Sequence, residues 1–404
     1  MSLAARVAAV FEAWGYARII TPVFECADVL ERGLGHDARA AAIRFVEPGT
    51  GEVVALRPDI TAQVARLVAT RLADHEAPVR LCYEGAVYRR SGRLADELGQ
   101  REILQAGIEL IDASEPAGDA EVLAVAAAAL EAAGLHETRL DIGHVAPARF
   151  VLGAVVDAGN DASLASSGEA NSARARLATA LGRKDRVALR AAARALPPAV
   201  APLAEALGSL WGPAEATLAK ARVLAWPAEV AASLDELAAV LAAFGELADP
   251  PVPAVTIDLG DVRGFDYYTG VRFAGYAAGA PDAVLRGGRY DALVGRYGRP
   301  ARATGFALDV EAVAQAQRAM NVAAPAIAMG VAVHGAGAAA LARSLRARGV
   351  RAVTAATAPT ASWLREARLD AAMFLDRHEL MRADGSRQTA ADAEALVKLF
   401  LGGS

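Results

Sequence analysis

Three runs of residues in this 404-residue chain bring together the groups needed to hold a small zwitterion. Residues 262–270 read VRGFDYYTG, an arginine, an aspartate and paired tyrosines opening the run VRFAGY. That continuation alternates and is rich in β-branched and aromatic residues, which predicts a strand. Tyrosines packing their rings at the start of a strand would give the same string, so the weight falls on the other two runs. In REILQAGIELID, side chains two apart share a strand face, placing Gln105, Gly107 and Glu109 together and Leu104, Ala106, Ile108 and Leu110 opposite. The apolar side predicts a core. An interior glycine weakens a strand unless something approaches it closely, and a ligand over Gly107, held by an amide and a carboxylate, explains all three polar-side residues. In VRLCYEGAVYRR the same arithmetic groups Tyr83, Gly85, Val87 and Arg89, again an open glycine beside a guanidinium able to take a carboxylate or phosphate in a forked pair of bonds. An anion binder in Arg89, an ammonium acceptor in Glu109 or Asp59, an amide and two tyrosines suffice to grip an amino acid and its side chain.

The surrounding pattern says what must position these groups. Residues 3–15 predict a short amphipathic helix, GYARIITPVFE a strand with Pro22 near its end, and residues 56–73 a helix introduced by Pro58, with Asp59 or Thr61 as its cap. The two alternating runs, joined by a loop of about ten residues, predict an antiparallel pair. A helix over 119–134 and a strand over Thr138–Gly143 follow. From about 147 to 250 the pattern is almost wholly helical, broken at Pro197–Pro198, Pro213 and Pro227, and reads as an inserted domain. Residues 254–315 return to the sheet. From about 325, strand and helix patterns alternate as in a small α/β module. Gly335-x-Gly337-x-x-Ala340 there has the outline of a dinucleotide fingerprint, but no acidic residue ends the next strand, so the glycines read as a tight turn.

Composition narrows the class. A net charge of −5 argues against a protein that holds nucleic acid by its phosphates. Cys26 and Cys82 stand far apart without a CxxC, which predicts a reducing, cytoplasmic setting. The six histidines form no zinc pattern, and no long apolar run reads as a membrane span. The terminal MSL and GGS read as added ends.

The motifs, taken together, resemble the catalytic core of histidyl-tRNA synthetases, which are class II enzymes, and more closely their non-synthetase paralogues, the regulatory subunits of ATP phosphoribosyltransferase. GYARIITPVFE resembles motif 1, with Pro22 as its dimer-forming proline; GAVYRR…QREILQAGIEL resembles motif 2; GGRYDALVGRYG…TGFALDVEAV resembles motif 3; VRGFDYYTG resembles the histidyl signature. The resemblance implies an α+β fold: a class II synthetase-like antiparallel sheet flanked by helices, with a helical insertion and a small C-terminal α/β module. Its parts would be 1–146 and 251–318 as core, 147–250 as helical insertion, and 325–404 as the module. Position by position it implies a histidine site of Asp59, Thr61, Arg89, Gln105, Glu109, Arg263, Tyr267 and Tyr268. Asp59 stands where bacterial synthetases usually carry glutamate, one methylene longer.

The departures bear on function. The arginine that closes motif 3 on the ATP γ-phosphate is absent, the aligned residues being Asp309, Val310, Glu311 and Ala312, with an acid where glycine is usual. In motif 2, Gly99 stands where a second arginine is expected. Each lost charge stabiliser costs about 10²–10³ in rate, and phosphoryl chemistry rests on such groups. Arg299 and Arg302 are the nearby arginines that would have to substitute. The resemblance then implies a chain with no catalytic residue, cofactor or metal, binding neither nucleic acid nor membrane. It would partner the short-form catalytic subunit of ATP phosphoribosyltransferase in the first step of histidine biosynthesis, activating it and transmitting inhibition by L-histidine, as a homodimer within a hetero-octamer. A working histidyl-tRNA synthetase, or a histidine-binding protein with another partner, are the alternatives.

Overall fold

The two alternating runs form the central hairpin of the molecule. Val79–Tyr88 and Glu102–Ile111 pair antiparallel along their whole length, from Val79 opposite Ile111 to Tyr88 opposite Glu102. The computed structural model describes residues 2–90, 101–155, 173–262, 267–322 and 330–402, apart from the His36 and Asp37 side chains. The chain forms two compact units, residues 2–323 and 324–404.

The hairpin sits within a nine-stranded sheet in the order Ala17–Arg18, Val79–Tyr88, Glu102–Ile111, Ala303–Asp309, Leu285–Arg289, Val271–Ala277, Thr138–His144, Ala254–Asp258, Trp211–Pro213. Neighbours run antiparallel except where Ala17–Arg18 joins Val79–Tyr88 and where Thr138–His144 joins Ala254–Asp258. Alternation divides the sheet as expected. Ala106, Ile108 and Leu110 face helices Leu3–Ala13 and Ala117–Ala132, in one cluster with Phe11, Val125, Leu140, Phe273 and Phe306. Half of Ala117–Ala132 is alanine, a good helix former whose small side chain lets the helix lie close on the sheet. The opposite face is covered at one end by helix Thr61–Arg71, whose Val64 and Val68 pack with Ile60 on Leu81, Tyr83, Val87, Ile103 and Ile111.

GYARIITPVFE is not one strand. The chain leaves the large sheet after Arg18 and resumes at Phe24–Cys26 in a separate three-stranded sheet with Val53–Leu56 and Arg44–Val46. Pro22 cannot donate to a ladder, and the Thr21 and Pro22 carbonyls are taken by the Arg57 guanidinium instead. The described part of 147–250 is mostly helical, with Pro227 at the cap position of Ala228–Leu247. It is not wholly so, because Trp211–Pro213 pairs with Ala254–Asp258 at the sheet's outer edge. Its Leu177, Leu181, Leu189, Leu207 and Leu237 join the same apolar cluster as the sheet.

The unit 324–404 carries a five-stranded sheet in the order Arg351–Thr354, Gly330–His334, Ala371–Phe374, Glu379–Arg382, Arg387–Thr389. The first three strands are parallel. Two antiparallel strands and a closing helix, Ala393–Leu401, extend the module beyond what the alternation foretold. Gly335 and Gly337 both have positive φ, and the Asp376 carboxylate accepts the Ala336 N–H at 3.1 Å. The turn therefore holds a side chain of its own.

Candidate functional site

Glu109 is the centre of the site because the sheet buries a carboxyl there with neutral partners. It is 1% exposed. The Tyr83 hydroxyl donates to one oxygen at 3.2 Å, and the Tyr290 hydroxyl donates to the other. Burial pushes the carboxyl up to about 8; hydrogen bonds from Thr61, Tyr290 and Tyr83 pull the other way, and the charge of nearby Asp59 pushes further up. Burial therefore favours the protonated, neutral carboxyl near neutral pH. A residue with a perturbed carboxyl among polar rings is a common mark of a binding or reaction site.

Of the sequence-predicted residues, Asp59, Thr61 and Tyr267 lie near it. Thr61 opens its helix beside Glu109, and its backbone N–H donates to Asp59 Oδ1 at 2.6 Å, so Asp59 satisfies one of the helix's first free amides. Arg89 reaches back from the hairpin to the carbonyl of Pro58 at 3.0 Å, next to Asp59. Gln105 lies four residues along the Glu109 strand, on the same face, opposite Asp309. The Tyr267 ring stacks between Tyr268 and Tyr290, at 5.3 and 5.2 Å between centroids, and its buried hydroxyl has no hydrogen-bond partner among the described residues. Burial holds the Tyr267 and Tyr290 phenols well above their ordinary range and pushes Tyr268 up to about 12, so all three are neutral donors. Arg263 and Gly99 lie outside the described residues.

The glycines have another explanation than the one their alternation suggests. A Cβ at Gly107 would strike the Tyr83 hydroxyl, one at Gly85 the Arg57 guanidinium, one at Gly305 the Glu109 carboxylate, and one at Gly288 the Tyr268 ring. Side chains of this chain, laid flat on the sheet, occupy the space a ligand over Gly107 was expected to fill. Arg57, Tyr83 and Tyr290 are the residues the sequence reading left out of the site. Tyr83 was already on the right face, and Tyr290 follows GGR in the motif; Arg57 gave no signal, being one arginine before a proline. Two surface cavities, of about 220 and 410 Å³, lie off this cluster, the larger against Arg149 and Thr269. Arg149 donates to the Tyr268 carbonyl at 2.7 Å.

At the Gln105 end of this face stand acids. Asp309 Oδ1 accepts the Ala312 N–H at 2.9 Å, capping helix Val310–Ala319, and Glu311 Oε2 accepts the Leu104 N–H at 2.9 Å. Arg299 pairs with Asp112 at 2.8 Å, and Arg302 precedes the strand Ala303–Asp309, both at its opposite end, about 20 Å away by strand rise. On the helix-facing side of the sheet, Arg289 is 1% exposed and bound to Asp119 at 2.8 Å, a buried pair that fixes motif 3 to helix Ala117–Ala132. No three His, Cys, Asp or Glu side chains among the described residues are grouped to hold a metal ion.

Residues 1–313 match the family described as histidyl-tRNA synthetase. The chain is 46% identical over 326 residues to the ATP phosphoribosyltransferase regulatory subunit of Anaeromyxobacter sp. (strain Fw109-5), covering 79% of this chain and 88% of that one. To the protein of the same name from Geobacter sulfurreducens it is 40% identical over 319 residues, 77% of this chain and 68% of that one. The crystal structure of an ATP phosphoribosyltransferase regulatory subunit/histidyl-tRNA synthetase from Bacillus halodurans superposes with a TM-score of 0.73 at 28% identity, over 92% of each chain. Histidyl-tRNA synthetase from Nostoc sp. PCC 7120 shares the fold, with a TM-score of 0.75 at 18% identity over 99% of this chain and 94% of that one.

Proposed function

Since this chain belongs to the family of ATP phosphoribosyltransferase regulatory subunits, built on the histidyl-tRNA synthetase fold, we propose that it binds L-histidine at Glu109 and uses that binding to control a catalytic partner. The partner is the short-form catalytic subunit of ATP phosphoribosyltransferase, which the chain activates when the site is empty and inhibits when it is filled. The observation that carries the reading is the buried Glu109 carboxyl set among Tyr83, Tyr290 and the unpartnered Tyr267 hydroxyl. Such a site offers neutral donors and one carboxyl that becomes a full negative charge when a cationic group enters. In this reading Asp59 and Glu109 take the ammonium and imidazole, while Arg89, Gln105 and Arg263 take the carboxylate. The chain would supply no catalytic residue, and cores of this kind would pair as homodimers through the Pro22 segment within a hetero-octamer.

The acids at Asp309 and Glu311 support loss of adenylation. Both are tied to backbone amides where a triphosphate would need cations, and Arg299 is engaged with Asp112 at the far end of the strand. The site is also closed over by its own rings, so histidine selects a state in which they part. That difference between states is what a partner can sense, and typical coupling is about 1–3 kcal/mol, felt equally in both directions.

The test is a rate assay of the short-form catalytic subunit with and without this chain, titrated with L-histidine. The expected result is a rise on mixing that histidine reverses, with no histidine-dependent ATP–pyrophosphate exchange by this chain alone. No rise on mixing, together with exchange by the isolated chain, would establish a synthetase instead.

A further inference from the structure

The segment that carries Tyr267 and Tyr268 is tied to one helix. Helix Val145–Gly153 holds it at two points: the Val145 N–H donates to the Gly270 carbonyl at 3.2 Å, and Arg149 donates to the Tyr268 carbonyl at 2.7 Å. His144 ends the preceding strand, opposite Val271, and caps this helix, its Nδ1 accepting the Ala146 N–H at 3.1 Å. Because Nδ1 accepts, the ring proton sits on Nε2. That N–H belongs to a residue only 6% exposed and has no hydrogen-bond partner among the described residues. Glu236 Oε2 stands 3.6 Å from it, beyond bonding reach. A buried donor left unpaired is costly and rare in a native fold, so one standing just short of a carboxylate leaves a bond to be gained by a small movement.

Glu236 belongs to helix Ala228–Leu247 of the insertion, and there is room for that movement. A cavity of about 410 Å³ is lined by Val145, Arg149 and Phe150 of the one helix, by Pro227 and Val230 at the start of the other, and by Thr269 of the tyrosine segment. Closing the His144–Glu236 gap needs a shift of roughly half an ångström. We propose that His144 and Glu236 bond when L-histidine occupies the Glu109 site, so that helix Ala228–Leu247 settles toward helix Val145–Gly153 as the site fills. The inference rests on the histidine reading of the site. In that reading the tyrosine rings part on binding. The Tyr268 segment then moves, helix Val145–Gly153 moves with it through its two bonds, and the His144 cap is carried toward Glu236. The helical insertion thereby registers an occupied site, and a bond made only in the filled state adds to affinity. His144 and Glu236 are positioning residues here, acting on the ligand only through the Tyr268 segment.

The experiment uses the full chain and the variants Glu236→Ala and Glu236→Gln, the second of which keeps an acceptor oxygen. Calorimetry gives the affinity for L-histidine. Hydrogen exchange, with and without saturating histidine, gives the protection of helix Ala228–Leu247 against that of helix Arg186–Ala193, which reports the stabilisation any ligand brings. The expected outcome in the parent is a gain of protection in Ala228–Leu247 beyond that of the reference helix. Glu236→Ala is expected to lose that excess and to bind histidine at least about fivefold more weakly, while Glu236→Gln keeps the excess and binds as the parent does. An alanine variant with parental affinity, or a glutamine variant as weak as the alanine one, overturns the bond as the coupling. Equal gains in the two helices of the parent overturn the movement and leave the site reading standing. Absence of histidine binding by the parent chain removes the site reading, and this inference with it. If Glu236→Ala does not fold, the exchange comparison in the parent still decides.

Discussion

At the scale of single residues, Glu109 sets the chemistry, and its proton makes a measurable prediction. An unfolded glutamate titrates near about 4.3, whereas in the fold the Glu109 carboxyl is pushed up to about 8 by burial. Between those values the folded chain holds a proton that the unfolded chain has released. This group's contribution therefore favours the fold fully below the lower value and is lost as pH rises through the upper one. The Tm of the ligand-free chain is expected to fall from about pH 6 to about pH 8.5, and to fall less in Glu109→Gln, whose side chain does not titrate. Histidine binding near neutrality should release protons, seen as a binding heat that varies with buffer ionisation enthalpy; equal heats in phosphate and Tris would contradict a protonated Glu109. Glu109→Ala and Arg263→Ala are each expected to weaken histidine binding about tenfold or more, since each removes a charge-assisted partner. Unchanged affinity in both would refute the site.

At the scale of elements, the strands were legible because alternation is local, and the contents of the site were not because they arrive from elsewhere. REILQAGIELID announces which face is polar, yet nothing within it says that Tyr83 from the neighbouring strand fills the space over Gly107. Arg57 is likewise distant from Gly85 in sequence but lies on it in space. The Pro22 segment looked like one strand because its residues favour extended backbone; the switch of sheets depends on carbonyls claimed by Arg57 and Gln63. MRADGSRQT lacks an alternating apolar pattern, so the last two strands of the second unit left no trace. The glycine pattern predicts that Gly305→Ala, whose Cβ would meet the Glu109 carboxylate, lowers stability by about 1–3 kcal/mol in urea unfolding and weakens histidine binding as well. Asp309→Ala is expected to cost about 1 kcal/mol through loss of the helix cap and to confer no pyrophosphate exchange, since it removes an acid without adding a cation.

At the scale of the whole molecule, the chain forms two compact units, and the proposed histidine site belongs to residues 2–323. Calorimetric scans are expected to resolve two transitions, of which histidine raises the one belonging to the Glu109 unit, by about 2.7 kcal/mol at a hundredfold excess over Kd. A uniform upward shift of both would mean the units melt together. In the second unit, the turn at Gly335–Gly337 has the shape that elsewhere cradles phosphate, but here it encloses Asp376. A nucleotide approaching that loop would find its place taken by a resident anion and would be repelled by it. The loop thus keeps the outline of a phosphate cradle while its own carboxylate excludes phosphate from it.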